Sequence, residues 1–251
     1  MATVGPEKLI VVLVNGGPLS VDWIKHNCPT VIEAFEGGQS GGQALAEVLS
    51  GVTAPSGVLP YTMYPEHYLN QVLHWDMSMR KPPGRSYRFY SQRPLWPFGY
   101  SGSYTTWELA WAKLLPATLS VIELERGIEL VATLHNSGKV SSAKALLFFA
   151  SVKLRVGDGV ALGWTPPIKM LFAVKKVWVP AGRSSLVVVN STNVRGACAF
   201  CTVDEQGIAA VREGSYTITI GDGSESAITP MVTRATARID SSNVDGAQFS
   251  E

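Results

Sequence analysis

"TVIEAFEGGQSGGQALAEVLSG", residues 30–51, is the stretch whose reading decides the fold. An apolar, β-branched run from Thr30 to Phe35 predicts a strand. Four glycines follow within six residues, Gly37, Gly38, Gly41 and Gly42, and then a helix-forming segment from Ala44 to Leu49 that Gly51 closes. A strand feeding a glycine turn that opens a helix is the local geometry of a phosphate cradle. Gly37 and Gly42 even have the G-x-x-x-x-G spacing. The chemistry fails at the next two positions, where Gln43 and Ala44 replace the lysine and hydroxyl that would reach phosphate and Mg²⁺. The G-x-G-x-x-G pattern is absent too, so a nucleotide is set aside. Two readings stay open. One is a tight turn with no ligand. In the other, free N–H groups and the neutral side chains of Gln39 and Ser40 face a hydroxyl-rich ligand.

Outward from this stretch, the first hundred residues read as α/β. "KLIVVLVNGGPL" predicts a parallel strand covered on both faces and stopped by Gly16-Gly17-Pro18. Its apolar run, Leu9 to Val14, is far shorter than the ~18 residues of a membrane span. It also lacks the basic lead-in and cleavage site of a signal peptide. "SVDWIKHN" reads as a short helix with Ser20 as N-cap. Residues 64–104 are dense in Pro, Tyr, Trp, Met and Arg without a period and read as a long ordered loop. The chain has 251 residues, 46% hydrophobic and 16% charged, with net charge +1. That composition supports a sizeable core and gives no electrostatic argument for nucleic acid or a membrane surface, so neither is assigned as a partner.

From Thr105 the pattern is all-β. "GIELVATLHNSGKV" alternates and turns at Asn136-Ser137-Gly138, "AKALLFFASVKL" is a long apolar strand, and two strands flank a Pro180-Ala181-Gly182 turn. Three more follow in "CAFCTVDEQGIAAVREGSYTITIGDG", giving the spacing of a β-sandwich. Cys198 and Cys201 form a lone C-x-x-C, read as two small hydrophobes of a β-segment in preference to a redox pair or half a metal site. The polar stretch after Ile228 reads as a frayed tail. The expected division is a partial α/β domain at 1–64, a wrapping linker at 65–104, a β-sandwich at 105–225 and a flexible tail at 226–251.

Three segments in series, "VVLVNGGPLSVDW", "EGGQSGGQALAEVLSGVTAPSGVLPYTMYP" and "PPGRSYRFYSQRPLWPFGYSGSYTTWEL", resemble the C-terminal half of glycoside hydrolase family 3. The likeness leans toward its β-xylosidase and α-arabinofuranosidase branch. Pro55-Ser56-Gly57-Val58-Leu59-Pro60-Tyr61-Thr62 fits one family signature. Gly84 to Tyr90 with Pro97 to Tyr100 fits a second, and Gly214 to Asp222 resembles the closing strand of the terminal fibronectin type III-like domain. The resemblance implies a partial, mostly parallel α/β sandwich followed by that immunoglobulin-like β-sandwich, no cofactor and no metal. It also implies an extracellular glycosidase acting on xylo-oligosaccharide-type carbohydrate.

The family's aspartate nucleophile sits on an N-terminal barrel, and its acid/base glutamate comes from a segment ahead of the Gly-Gly-Pro strand. Neither has a counterpart here, so no catalytic residue is assigned. The chain alone is expected to be inactive and to pack against a barrel that it lacks. Gln39, Ser40 and Glu36 are the expected substrate-binding residues. Glu36 stands where the family usually has tyrosine, Phe35 where it has glycine and Gly37 where it has proline. The rings of Trp75, Tyr87, Tyr90, Trp96 and Tyr100 read as packing in preference to sugar platforms, with Arg85 and Arg88 anchoring the wrapping loop. A non-catalytic module that binds carbohydrate or protein is the alternative.

Overall fold

The computed structural model describes residues 5–154, 165–191, 199–204, 206–221 and 231–236. The chain opens with β1 (Ile10–Leu13), α1 (Asp22–Asn27), β2 (Thr30–Glu33) and α2 (Gly41–Leu49). β1 and β2 pair in parallel, Ile10 opposite Thr30 through Leu13 opposite Glu33. Beneath them Leu13, Leu59, Met63 and Leu95 form a small core, joined by Val11, Val31 and Trp96. The reading of β1 as covered on both faces is corrected: Ile10 is 53% and Val14 71% exposed. Among the described residues this sheet has only two strands, too few to enclose its own apolar run. Ser20 does not cap α1 either. Val21 holds the N-cap position, and the Ser20 hydroxyl donates to the Tyr64 carbonyl at 3.5 Å. Helix α2 ends as expected, with Gly51 at φ +77°.

Residues 65–104 carry the one-turn helix α3 (Ser86–Phe89) and are held by side chains along their length. Tyr64 and Tyr68 stack at 4.0 Å, and Tyr90 meets both edge-on. The Arg85 guanidinium donates to the carbonyls of Leu73, Asp76 and Ser78.

The remainder is built from β3 (Trp107–Trp111), β4 (Thr118–Ser120), α4 (Val121–Arg126), β5 (Glu129–Asn136), β6 (Ser142–Leu154), β7 (Met170–Val179), β8 (Ser184–Asn190), β9 (Thr202–Val203), β10 (Ala209–Ala210), β11 (Gly214–Gly221) and β12 (Met231–Thr236). One sheet has the order β4-β12-β11-β6-β7, a second β3-β5-β8, and β9 with β10 makes a small hairpin. The two larger sheets share one core, in which Leu130 and Leu134 of β5 meet Phe148 of β6, Val187 of β8 and Ile218 of β11.

Strand β6 explains its own sequence. Leu146, Phe148 and Ala150 point into that core, and Ala145, Leu147 and Phe149 on the other face are buried as well. Tyr87 and Phe98 of the wrapping segment pack on Phe149, at 5.8 and 6.2 Å between ring centroids. A strand covered on both faces loses its alternation, which is why "ALLFFA" is continuous. Further ties come from the Ile168 N–H, which donates to the Arg88 carbonyl at 2.7 Å, and from Lys144 Nζ, which donates to the Ser101 hydroxyl at 2.9 Å.

Two departures from the sequence reading stand out. Helix α4 interrupts the all-β pattern, started by a capping box between Ser120 and Glu123 and ended at Gly127 with φ 92°. Six residues are too few for a helical period to register. The second is the tail: β12 pairs antiparallel with β11 and parallel with β4 inside the stretch read as frayed. The rest of residues 222–251 lies outside the described residues.

Candidate functional site

The glycine turn is set by the end of β2. The Ala34 N–H donates to the Leu13 carbonyl, the last rung of the parallel ladder, and the chain then breaks upward through Phe35 at φ 53° and Gly38 at φ 61°. Gly37 permits the tight return, since a Cβ there would stand 2.8 Å from the Gly41 Cα. Ser40 occupies the N-cap of α2 without a side-chain cap bond. Glu36, Gln39 and Ser40 are all exposed. The Glu36 carboxylate leans over Gly16, 3.5 Å from where a Cβ would be, so the turns after β1 and β2 adjoin. The three expected residues thus sit together at the carboxyl ends of the parallel strands, where open α/β sheets bind ligands.

Beside them runs a groove of about 1100 Å³ between β2 and α2 on one bank and Thr53–Leu59 with Tyr100–Tyr104 on the other. Gly37 and Gly41 line it, whereas Glu36, Gln39 and Ser40 stand outside its wall. Two bonds between Leu59 and the Gly99–Tyr100 backbone hold the far bank, and the Tyr104 hydroxyl donates to the Val48 carbonyl at 2.7 Å to tie it to α2. The wall is largely apolar; Glu33 lines it and belongs, with Asn15 and Tyr61 outside the lining, to a polar cluster that the sequence reading passed over. Both Glu33 carboxylate oxygens, Asn15 Oδ1 and the Tyr61 hydroxyl are enclosed without a well-aligned hydrogen bond. Burial, and then the charge of Glu33, push the Tyr61 phenol pKa up. The signal available in the sequence was position: Asn15 follows β1, and Glu33 ends β2.

Retaining hydrolysis requires two carboxyl groups about 5 Å apart. The glycine turn itself offers one, Glu36. Among the described residues no group of three or more His, Cys, Asp and Glu side chains could hold a metal. No helix there is long and apolar enough to cross a membrane. Cys28 is buried and free, but Cys201 is disulfide-bonded, so its reading as a mere small hydrophobe is corrected; Cys198 lies outside the described residues.

Packing absorbs most of the aromatic candidates. Tyr87 stacks on Phe98 at 4.3 Å, and Tyr90 is 7% exposed. Lys25 sits 4.7 Å above the Trp96 ring, with its ammonium donating to the Leu95 carbonyl. Burial and the nearby Arg93 lower the Lys25 pKa, against a smaller opposing pull from Asp22. Tyr100 is 40% exposed on the groove, and Trp75 is 66% exposed on the Arg85-held loop.

The profile of the glycosyl hydrolase family 3 C-terminal domain matches residues 1–104. Beta-D-xylosidase 1 of Arabidopsis thaliana is 34% identical over 248 residues, covering 88% of this chain and 31% of that protein. Beta-glucosidase BoGH3A of Bacteroides ovatus is 27% identical over 230 residues, covering 77% of this chain and 30% of that protein. The structure of a GH3 exo-β-xylosidase, XlnD, in complex with a xylobiose aziridine activity-based probe superposes with a TM-score of 0.79. It covers 92% of this chain and 31% of that chain at 22% identity, a likeness of fold. A β-glucosidase from Kluyveromyces marxianus in complex with glucose gives 0.74 at 20% identity, covering 90% of this chain and 27% of that chain. The chain therefore spans less than a third of the length of these relatives. Residues 1–104 are a glycosyl hydrolase family 3 C-terminal domain, and the whole chain corresponds to the C-terminal part of family 3 β-xylosidases and β-glucosidases.

Proposed function

We propose that this chain is the carboxyl-terminal part of a secreted family 3 glycosidase that removes terminal β-linked sugars, above all β-1,4-xylosides, from plant-type polysaccharide. The observation that carries the reading is the exposed, neutral turn of Gln39 and Ser40 at the carboxyl ends of β1 and β2, within a chain that matches β-xylosidases over most of its length. In this reading Gln39, Ser40 and Glu36 border the mouth of the sugar site and bind hydroxyl groups, while the nucleophile and proton donor are supplied from elsewhere. Residues 1–64 are then the partial α/β domain, 65–104 the linker and 105–225 a fibronectin type III-like sandwich. Support for the last comes from Tyr216, whose hydroxyl donates back to the Arg212 carbonyl at 2.9 Å and accepts the Arg212 N–H, the corner found near the edge of immunoglobulin-like sandwiches. The exposed apolar residues of β1 favour packing against a further domain, the barrel of the family.

The chain by itself is then inactive, because in this reading both the nucleophile and the proton donor of the retaining pair are supplied from elsewhere. Purified protein incubated with an aryl β-xyloside should release no aryl alcohol above buffer. Sustained turnover that Glu36→Gln abolishes would place a complete catalytic pair in this chain. The departures at Phe35, Glu36 and Gly37 favour a second reading, a non-catalytic carbohydrate- or protein-binding module, in which the turn binds without any partner domain.

A further inference from the structure

Of the five aromatic side chains singled out in the sequence, Trp75 is the most exposed. It is 66% exposed, in a protein that buries Tyr90 to 7%, stacks Tyr87 on Phe98 and sets it edge-on to Phe149. The loop carrying it is not slack. Arg85 donates to three carbonyls of residues 73–78, and its own N–H donates to the Met79 carbonyl. The Asp76 carboxylate accepts from the Ser78 N–H at 2.9 Å and from Lys81 Nζ at 3.0 Å. His74 braces the indole edge-on, 4.7 Å between centroids. The loop is thus ordered before any ligand arrives, which removes the entropy of ordering it.

The charges of this loop are engaged within it: Asp76 on Lys81, Arg85 on carbonyls, and Arg80 over the Phe89 ring at 4.6 Å. Around residue 75 the exposed side chains are a flat indole, the imidazole of His74 and the amides of Asn70 and Gln71. A flat apolar ring braced by an imidazole, with neutral amides on the same segment, matches a pyranose, which offers a C–H face and a rim of hydroxyl groups. It does not match phosphate or a charged peptide, which require uncompensated charge. Leu73 and Met77, two residues to either side in the chain, are 49% and 86% exposed and add apolar surface to the same loop.

We propose that the Arg85-held loop is a carbohydrate-binding site, separate from the glycine turn, with Trp75 as its stacking platform for a β-linked oligosaccharide. The proposal rests on the carbohydrate reading above but not on the glycine turn. The test is affinity gel electrophoresis of the whole chain in soluble xylan, with tryptophan fluorescence titration by xylohexaose. Retardation of the parent chain is expected. Trp75→Ala should weaken it by about tenfold or more, while Trp75→Phe retains most of it and Val174→Ala, an exposed position on β7, leaves it within about twofold. The variants are at the surface, and an unchanged melting temperature certifies their fold. Equal retardation of parent and Trp75→Ala overturns the site. If only Gln39→Ala weakens binding, the glycine turn is the sugar site and this proposal fails alone. No retardation or fluorescence change in the parent defeats both it and the carbohydrate reading of this chain. Self-association relieved by Trp75→Ala without any effect of xylan also overturns it, assigning the loop to a polypeptide partner.

Discussion

Phe35 and Gly37 show how much conformational demand falls on single residues here. Phe35 holds φ 53°, a left-handed conformation that bulky side chains rarely adopt, and its ring meets Tyr61 edge-on at 5.8 Å. Gly37 has no such latitude to lose. Gly37→Ala would push a methyl group to 2.8 Å from the Gly41 Cα, backbone against backbone, at the point where the turn enters α2. We expect destabilisation of about 1–3 kcal/mol by denaturant titration, with amide shifts confined to residues near the turn. Tyr68 makes a different demand. Burial, more than any neighbouring charge, pushes its phenol up to about 12 from 10.0. The folded state therefore holds that proton more tightly than the unfolded chain does. The associated stability is complete below pH 10.0 and is lost as pH climbs through about 12. Tyr64, Tyr90 and Tyr216 are raised in the same sense, again chiefly by burial. Melting temperatures between those pH values should fall, and Tyr68→Phe should fall less steeply than the parent.

At the scale of elements, β6 carries the heaviest load. Phe149→Ala removes a ring that is 2% exposed and leaves Tyr87 and Phe98 without their support, so a loss of about 3–5 kcal/mol is expected. Val174→Ala on the neighbouring β7, at a side chain 57% exposed, should change stability by less than about 0.5 kcal/mol. Comparable losses for the two variants would mean that the wrapping segment does not cover β6. Most strands of this half were legible because turn residues punctuate them, as with Gly182 at φ 68° between β7 and β8. Helix α4 was legible only in its cap, Ser120 and Glu123, since a box spans four residues while a period needs more. Strand β12 was hidden for a plainer reason. Its sequence, Met231-Val232-Thr233-Arg234-Ala235-Thr236, carries no clean apolar alternation, and its place is set by β11 and β4 on either side. At the site, the spacing of Gly37, Gln39 and Ser40 announced an exposed turn. For the enclosed trio of Asn15, Glu33 and Tyr61 only the strand-end positions of the first two were legible, because side chains distant in sequence meet once the parallel ladder has formed.

Across the whole molecule the two ends of the described chain are unequally finished. The paired sheets of the carboxyl-terminal half close over a common core, whereas β1 and β2 leave Ile10, Val14, Leu49 and Val52 exposed. Strand edges and apolar side chains left open in this way invite a second copy of the chain. Light scattering should find dimers or larger species that grow with concentration, and Val14→Lys should lower their average mass; a monomer at every concentration would refute this. The wrapping segment has its own consequence at this scale. Tyr87 and Phe98 lie on Phe149, and Arg88 is tied to Ile168, so one stretch of polypeptide is a shared wall of both halves. Heat that loosens the sheets strips the wall from the tyrosine cluster behind it. The halves therefore hand their disorder to each other, and melting becomes one joint event in which neither outlives the other.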